Sequence, residues 1–443
     1  MVARESKWSR RGFVRDGALT LGGSAALLGL TQKLAAAERI RPTISDVQTM
    51  TIGGSSRTYV YVRVVTADGQ YGIGEAYGTP GVGVAEQILS LKPWLVGKDP
   101  LEVGKLYTLL GDGSRSLSGT RTDGSAHNLL RAASGIEMAL WDLAGKLLHT
   151  PVAVLLGGRY RDHVRVYDHS YPRDMTDKAS CREWAAKVNQ HPSGFTAHKI
   201  EIPHTSSIWE EVRPGGRPTV PDNGRDLANR QLSTKELMRI AKGLENIREA
   251  IGWDHDIMVH CHWEFDLATS LQLAEAVAPV KPLWLEDPLP VDYTDSWKRL
   301  CDRSPVPILM GENLARVEGF MPFITNQGCD IVNPDLRNAG GFLEGKRIAD
   351  LASLYGMPIS THNTASQLHT YQVCQWAASI RDYLLCETVT GEGGWMDQVL
   401  KLDGPYVQKG YVKVNDKPGT GVDLNRETVE AHLAPGQKWW GDL

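Results

Sequence analysis

The sequence lacks an apolar run long enough to cross a membrane, and it lacks a marked excess of either charge. A spanning helix needs roughly 20 apolar residues, whereas the longest apolar stretch extends only from Ala18 to Leu30. The 48 basic and 52 acidic side chains leave a formal net charge of -4, which creates no broad field to attract nucleic acid or an anionic membrane. Integral membrane proteins and polyanion-binding proteins are therefore disfavoured.

Closely spaced cysteines are also missing. The six cysteines are scattered without a CxxC pair, so neither a zinc ribbon nor a thioredoxin-type site is indicated. Their even number would permit disulfides in an oxidising compartment, but the sequence predicts no particular pair. With 42% hydrophobic and 23% charged residues, the composition is that of an ordinary globular protein. The 443 residues exceed the roughly 250–300 that a single core supports, so more than one structural unit is expected.

The N-terminus has the layout of an export signal. Basic residues between Lys7 and Arg15 precede the apolar run, and Ala35-Ala36-Ala37 follows it, as in a cleavable signal peptide. The tract Ser9-Arg10-Arg11-Gly12-Phe13-Val14 resembles the twin-arginine signal. We therefore predict a signal peptide at residues 1–37, use of the twin-arginine export machinery and a periplasmic location.

Two regions flank the centre of the remaining chain. Residues from about 41 to 76 alternate apolar and polar positions, which predicts an antiparallel hairpin pair. Residues from about 84 to 148 show helical periodicity instead. Strands followed by helices predict an α+β capping domain over residues 38–158. Residues 401–443 return to strand-forming residues, and we predict that they pack back on this domain.

Residues 159–400 alternate short apolar strands with helices. This alternation at this length is typical of a (β/α)8 barrel, whose chemistry lies at the C-terminal ends of the strands. The predicted fold class is therefore α/β, a (β/α)8-type barrel with an N-terminal α+β capping domain. The segment 204–229, rich in Pro, Gly and charge, is predicted to be a functional or disordered loop. The candidate strands are Val164–Tyr167, Ala197–Ile202, Ile257–His260, Leu283–Glu286, Ile308–Glu312, Asp330–Asn333, Pro358–Thr361 and Tyr383–Glu387.

Polar side chains end six successive candidate strands, between 23 and 27 residues apart by subtraction of their numbers. Each interval is about one βα unit, so these side chains are expected to converge on one mouth of the barrel. Carboxylates at facing strand ends suit Mg²⁺, which prefers oxygen ligands. A histidine there could transfer a proton near neutral pH. The six residues are His260, Glu286, Glu312, Asp335, His362 and Glu387.

Short motifs are spread over residues 41–422. They are Gly72-Ile73-Gly74-Glu75, Ala139–Lys146, Leu155-Leu156-Gly157-Gly158, Trp284-Leu285-Glu286-Asp287-Pro288, Gly311-Glu312-Asn313, Asp335 with Gly340-Gly341, and Pro418-Gly419-Thr420-Gly421. Together they resemble the enolase superfamily, specifically its mandelate racemase/muconate lactonizing enzyme-like, acid-sugar dehydratase branch. The resemblance implies a homo-oligomeric enzyme that removes the proton next to a carboxylate with a Lys or His base and Mg²⁺.

The resemblance also implies roles for individual residues. Glu286 and Glu312 match the second and third metal ligands, and Asp335 with His362 matches a catalytic dyad. His260 stands at the position of the first metal ligand, where an aspartate is usual. Neutral imidazole suits Mn²⁺, Fe²⁺ or Zn²⁺ better than Mg²⁺. Either the metal preference has shifted, metal binding is weak, or another carboxylate such as Glu201 substitutes.

Three further residues match positions that bind substrate or move protons in the family. Lys199 matches a lysine that contacts the substrate carboxylate, and Glu387 matches a carboxylic acid that donates a hydrogen bond to it. His262 matches a histidine that acts as general acid for the leaving hydroxide in some acid-sugar dehydratases. Glu201 replaces the family's second lysine base, which favours one-base chemistry and makes Glu201 a candidate catalytic carboxylate.

These residues favour dehydration of a sugar acid. His362 would remove the α-proton and His262 would assist departure of the β-hydroxide, which yields a 2-keto-3-deoxy acid. One alternative is an epimerase or cycloisomerase of a related acid or lactone. Another is a catalytically silent, exported acid-sugar-binding protein, in which His260 marks a lost metal site. His127, His169 and His198 receive no role from the sequence.

Overall fold

The computed structural model describes residues 42–53, 57–78, 83–118, 124–202, 230–389 and 394–440, without the side chains of residues 112–128. The predicted signal peptide and the predicted loop at residues 204–229 lie outside the described residues. Ile44–Leu443 forms one compact unit. A search of the described residues finds no helix with the length and apolar character that a membrane span requires.

An antiparallel sheet with the order β1-β2-β3 begins the described chain. The strands β1 and β2 are paired in antiparallel register, as are β2 and β3, so the predicted hairpin pair is confirmed. Helices follow the strands, as the periodicity predicts. The elements are β1 Ile44–Gly53, β2 Thr58–Thr66, β3 Tyr71–Ala76, α1 Val84–Leu95, α2 Val103–Ser118, α3 Gly124–Leu147 and α4 Val152–Leu155.

Two glycines allow this sheet to lie directly on α3. A Cβ atom added to Gly72 would lie 2.1 Å from the carbonyl oxygen of Ala139, and one added to Gly74 would lie 2.3 Å from that of Gly135. Non-bonded atoms do not approach so closely in a packed interior, so only glycine fits at these positions. Packing therefore explains both glycines of the Gly72-Ile73-Gly74-Glu75 motif.

Eight parallel strands among the described residues close into a barrel, because β11 pairs with β4. Each candidate strand predicted from the sequence overlaps one of them, and the (β/α)8-type fold is confirmed. The strands are β4 His163–Asp168, β5 Ala197–Glu201, β6 Asp256–His260, β7 Leu285–Glu286, β8 Ile308–Met310, β9 Ile331–Val332, β10 Ile359–Thr361 and β11 Tyr383–Thr388. The helices are α5 Lys178–Gln190, α6 Thr234–Ile251, α7 Leu267–Val277, α8 Asp295–Cys301, α9 Arg316–Thr325, α10 Leu336–Ala339, α11 Gly341–Leu354 and α12 Gln367–Ala378.

The residues that follow the barrel contact both the barrel and the N-terminal sheet. The strand β12, Tyr411–Lys413, pairs antiparallel with β4. Thr420 donates its backbone N–H to Asp142 Oδ1 of α3 at 2.7 Å. Beyond the short helix α13, Arg426–Glu430, the carbonyl oxygen of His432 accepts the N–H of Gly53 at 2.9 Å.

Alternation along the strands decides which side chains enter the barrel, because residues i and i+2 share one face. A layer of buried apolar side chains occupies the inward face, and polar side chains stand two positions later at the C-terminal mouth. The apolar layer consists of Tyr167, Ala197, Met258, Trp284, Leu309, Ile331 and Leu385. The polar residues two positions after its members are His169, Lys199, His260, Glu286, Asn333 and Glu387.

Candidate active site

His362 and Asp335 form a hydrogen-bonded pair at the ends of β10 and β9. His362 Nδ1 lies 2.9 Å from Asp335 Oδ2, and both side chains are buried. Because an ionised carboxylate only accepts hydrogen bonds, Nδ1 carries a proton, and in the neutral imidazole the lone pair is therefore on Nε2. His362 Nε2 lies 3.5 Å from Glu312 Oε2 and 3.8 Å from Glu387 Oε2. The atom that could accept a proton therefore faces the mouth.

Arg337 fixes Asp335 in this position. Its Nε donates to Asp335 Oδ1 at 3.1 Å and its Nη2 donates to Oδ2 at 2.7 Å, a bidentate pairing. Burial alone would raise the pKa of Asp335, but the charge of Arg337 and the hydrogen bond with His362 hold this pKa well below its ordinary value. Asp335 therefore remains ionised and maintains one tautomer of His362.

Arg337 also connects the dyad with the N-terminal sheet. Its Nη1 lies 3.7 Å from Glu75 Oε1, and Glu75 accepts the backbone N–H of Ser366 at 3.1 Å. Its Cζ lies 4.6 Å from the centre of the Tyr77 ring, within the range of a cation–π contact. The last residue of the Gly72-Ile73-Gly74-Glu75 motif thus contacts the cation that supports Asp335.

Four side chains at the ends of β6, β7 and β8 could hold a metal ion. One ligand atom from each of His260, Glu286, Asp287 and Glu312 lies within 4.8 Å of the others. His260 Nε2 lies 3.7 Å from Glu312 Oε2 and 4.0 Å from Asp287 Oδ2. Among the described residues, both ring nitrogens of His260 and Oε2 of Glu312 are buried without a hydrogen-bond partner. Since buried polar atoms normally have partners, this group fits a divalent cation.

The pKa shifts within this group of four residues agree with the binding of a divalent cation, which would offset the crowding of its negative charges. Burial, reinforced by the charge of Asp287, raises the pKa of Glu312 well above its ordinary value, and burial with the charge of Glu286 does the same for Asp287. Burial also lowers the pKa of His260 well below its ordinary value, so the imidazole is neutral and can act as a ligand. The three carboxylates suit Mg²⁺, whereas the imidazole suits Mn²⁺, Fe²⁺ or Zn²⁺.

Glu286 is oriented from two sides. Trp284 Nε1 donates to its Oε2 at 3.1 Å, and Lys199 Nζ donates to its Oε1 at 3.2 Å. Such outer contacts fix the orientation of a ligand before it meets a metal. Trp284 is fully buried and acts from beneath the mouth rather than as part of its lining.

Lys199 lies between two carboxylates. Its Nζ is 2.7 Å from Glu387 Oε1 as well as close to Glu286. Burial alone would lower the pKa of Lys199, but the charges of Glu286 and Glu387 raise it above its ordinary value, so Lys199 remains an ammonium ion. Burial alone would raise the pKa of Glu387, but Lys199 and His362 lower it to about 2. Glu387 is therefore an ionised acceptor in this structure, which differs from the hydrogen-bond donor that the family resemblance implies.

His262 lies across the mouth from His362, since three strands separate β6 from β10 in either direction around the barrel, and Glu201 ends the neighbouring strand β5. Glu201 Oε1 lies 2.9 Å from His169 Nε2 and 3.5 Å from His262 Nε2. Burial alone would raise the pKa of Glu201, but the hydrogen bond and charge of His169 and the charge of His262 bring it below its ordinary value. A carboxylate with a low pKa is a weak base, so Glu201 is not equivalent to the lysine that it replaces.

The backbone turns sharply at His262. His262 and Trp263 have positive φ angles of 51° and 58°, a conformation that costs a non-glycine residue about 1–3 kcal/mol. The His262 ring stacks on His260, with centroids 3.7 Å apart and planes 23° from parallel. This turn brings His262 back to the mouth after β6 has ended.

All the site residues that the sequence predicts are brought together by these contacts. They are the catalytic candidates His362, Asp335, His262 and Glu201, the substrate-binding candidates Lys199 and Glu387, and the metal-ligand candidates His260, Glu286 and Glu312. Sequence reasoning missed Asp287, His169 and Arg337. Two of these had a signal, because Asp287 lies in the Trp284–Pro288 motif and His169 follows the inward-facing Tyr167 by two positions. The roles of all these site residues in catalysis remain predictions.

Two family models match most of the chain. The model described as the mandelate racemase / muconate lactonizing enzyme N-terminal domain matches residues 33–157, and the enolase C-terminal domain-like model matches residues 181–428. The chain belongs to the enolase superfamily. This confirms the resemblance that the motifs indicate.

The names of relatives within the superfamily refer to reactions of sugar acids or their lactones. The chain is 35% identical over 397 residues to D-xylonate dehydratase of Haloferax volcanii, covering 89% of this chain and 90% of that protein. It is 26% identical to D-galactarolactone cycloisomerase of Agrobacterium fabrum, covering 86% and 92%. Among solved structures, it resembles a mandelate racemase/muconate lactonizing enzyme-like protein from Rubrobacter xylanophilus, with a TM-score of 0.80, 29% identity, and coverage of 90% of this chain and 100% of that chain.

Proposed function

We propose that this protein is a metal-dependent hydro-lyase that removes the α-proton of a sugar acid carboxylate and eliminates the β-hydroxyl to give a 2-keto-3-deoxy acid. One observation carries the proposal: the His362–Asp335 pair stands at the ends of β10 and β9, and the His262–Glu201 pair stands at the ends of β6 and β5 on the opposite side of the barrel. An elimination needs a proton acceptor at one carbon and a proton donor at the next. The relative named D-xylonate dehydratase supports the substrate class.

The first half of the reaction uses the groups around His362. Lys199 is a buried ammonium ion, suited to pairing with the substrate carboxylate. His362 Nε2 accepts the α-proton, and Asp335 stabilises the imidazolium ion through Nδ1–H. A divalent ion held by Glu286 and Glu312, with His260 and Asp287 beside them, would act as a Lewis acid that stabilises the negative charge developing on the carboxylate.

The second half uses the opposite side of the mouth. The bond between the β-carbon and its hydroxyl oxygen breaks, and a proton from His262 Nε2 converts the departing hydroxide into water. Glu201 is the anionic neighbour of that donor atom, at 3.5 Å. The electrons of the broken α-C–H bond form the carbon–carbon double bond of an enol, which tautomerises to the 2-keto acid.

A second candidate is cycloisomerisation of a related acid or lactone. The relative named D-galactarolactone cycloisomerase favours it. Epimerisation by two bases is disfavoured, because the low pKa of Glu201 makes it a poor base. A one-base cycloisomerase would return a proton to the carbon and release no water, so the products distinguish the two candidates.

We also propose that residues 1–37 direct twin-arginine export, that the protein works in the periplasm, and that it is a homo-oligomer. The paired arginines and the short apolar run after them support export. Membership of the superfamily supports the oligomer.

The test is to incubate the full chain with C5 and C6 sugar acids, beginning with D-xylonate, and with Mg²⁺ or Mn²⁺ in D₂O. NMR follows deuterium at the α-carbon and formation of keto acid. Keto acid that depends on metal supports the hydro-lyase. Exchange or isomerisation without loss of water would support the cycloisomerase, and ligand binding without either reaction would support a catalytically silent binding protein.

A further inference from the structure

His260 belongs to two groups of possible metal ligands. It lies with Glu286, Asp287 and Glu312 on one side, and with Glu201 and His262 on the other. In the second group, ligand atoms of all three residues lie within 4.8 Å of one another. We propose that Glu201, His260 and His262 form a separate, inhibitory site for a transition metal ion of the Zn²⁺ type. The inhibition rests on the proposed function, because the ion would occupy the nitrogen of His262 that donates the proton.

The donor atoms of the second group differ in kind from those of the first. Two imidazoles and one carboxylate favour Zn²⁺ and its neighbours in the first transition series over Mg²⁺. Three protein ligands with a fourth position for water are usual at open zinc sites. Glu201 Oε1 and His262 Nε2 lie 3.5 Å apart. With bonds of about 2.0–2.1 Å, tetrahedral geometry places ligand atoms roughly 3.3–3.4 Å from one another, so this pair needs little movement to bind an ion.

His260 provides an independent observation. Its side chain is 3% exposed, and among the described residues neither ring nitrogen has a hydrogen-bond partner. A buried imidazole without partners is unfavourable unless its nitrogens have another use. The His260 ring stacks face to face on the His262 ring, with centroids 3.7 Å apart, and this contact holds both imidazoles at the mouth.

Glu201 is already oriented for a ligand. The Tyr171 hydroxyl donates to its Oε2 at 3.0 Å, while Oε1 points between His169 and His262. Contacts of this kind to the second oxygen are typical outer partners of metal-binding carboxylates. Tyr171 and His169 would therefore orient the site without binding the ion.

Sharing of His260 predicts antagonism between two classes of ion. An ion held by Glu201, His260 and His262 withdraws His260 from the carboxylate group and His262 from proton donation. Zn²⁺ should therefore inhibit an enzyme that Mg²⁺ activates. The carboxylate group keeps three oxygen ligands without His260, so Mg²⁺ binding should weaken rather than disappear.

The test measures zinc binding directly. Full-length protein is dialysed against Zn²⁺ with Mg²⁺ in excess, the bound zinc is quantified by mass spectrometry, and its ligands are counted by X-ray absorption. We expect a zinc ion with two imidazole neighbours. Glu201→Gln and His262→Asn should each lower the affinity at least as much as loss of an outer-shell partner, about 10–100-fold. His163→Asn is the matched control, since His163 is an exposed histidine at the opposite end of β4 and its replacement should change nothing.

Several results would overturn the proposal. Zinc without imidazole neighbours, or unchanged affinity in both variants when each melts cooperatively, excludes the site. Loss of zinc in Glu286→Gln but not in Glu201→Gln places the ion in the carboxylate group instead. Zinc at the site without slower formation of keto acid removes the inhibitory role. Absence of any turnover with Mg²⁺ is a failure of the proposed function, and it leaves the zinc measurements valid.

Discussion

Replacement of Arg337 by Met should lower the free energy of unfolding, and the size of this decrease should depend on pH. Arg337 is 3% exposed and pairs with Asp335, which is fully buried. Removing one partner of a buried ion pair costs about 3–5 kcal/mol, because the remaining charge is left uncompensated. Glu75 loses the same cation, 3.7 Å away. We therefore expect the free energy of unfolding at pH 7 to fall by roughly this amount.

The direction of the pH dependence follows from the pKa of Asp335. In the native protein this pKa lies below that of the unfolded chain, so Asp335 contributes stability that is present above the unfolded pKa of about 3.9 and is lost as the pH falls through the folded pKa. In Arg337→Met, the guanidinium no longer offsets the burial of Asp335, so the pKa of Asp335 in the folded protein rises. As acid protonates Asp335, the variant gains stability relative to the protein with Arg337. The difference between their free energies of unfolding should therefore shrink from pH 7 towards pH 4.

Urea unfolding at a series of pH values measures this difference, with Arg337→Lys as the matched control that retains the charge but not the bidentate geometry. We expect Arg337→Lys to lose less stability than Arg337→Met. A loss below about 1 kcal/mol at pH 7, typical of an exposed ion pair, would refute the reasoning. An equal loss at pH 7 and pH 4 would refute it as well.

Four other predictions concern chemistry, metal and location. His362→Asn should lose α-deuterium exchange by about 10²–10⁴-fold while still binding, in a calorimeter, the sugar acid that the native protein converts; unchanged exchange would exclude His362 as the base. His262→Asn should retain exchange and lose keto acid formation by a similar factor, and NMR in D₂O separates the two signals. Glu286→Gln should weaken binding of Mn²⁺, measured by electron paramagnetic resonance, and equal affinity would remove Glu286 from the ligands. Replacement of Arg10 and Arg11 by Lys should leave precursor in the cytoplasm after cell fractionation, and normal export would contradict a twin-arginine signal.

Regular spacing explains why much of the site could be predicted from the sequence. In a parallel barrel each βα unit returns the chain to the same mouth, so Glu286, Glu312 and His362 could be placed together from their numbers alone. Glu387 belongs to the same series. Lys199 was assigned from the family resemblance, and alternation within β5 accounts for its place at the mouth, because it follows the inward-facing Ala197 by two positions. The inference from spacing needs only the period of the fold and no knowledge of side-chain contacts.

The residues that could not be predicted either depart from this periodicity or are placed by contacts with distant parts of the chain. Strict alternation would turn Asp287 away from the mouth occupied by Glu286, but its φ of 48° takes the chain out of the strand conformation and brings its Oδ2 to 4.0 Å from His260 Nε2. His262 returns to the mouth through a similar positive φ. Arg337 meets Glu75 from a distant part of the chain, and no local pattern encodes that contact.

The asymmetry of the mouth explains why elimination is a better proposal than racemisation. Racemisation needs bases on both faces of one carbon, and a base must have a pKa near the working pH. On the β10 side, Asp335 holds Nδ1 of His362, so Nε2 of the neutral imidazole is the atom placed to accept a proton. On the opposite side, His169 and His262 hold the pKa of Glu201 low, so the group positioned there to exchange a proton is the imidazole of His262. A proton donor facing a base across adjacent carbons fits the removal of a proton and a hydroxyl group from opposite faces of the substrate.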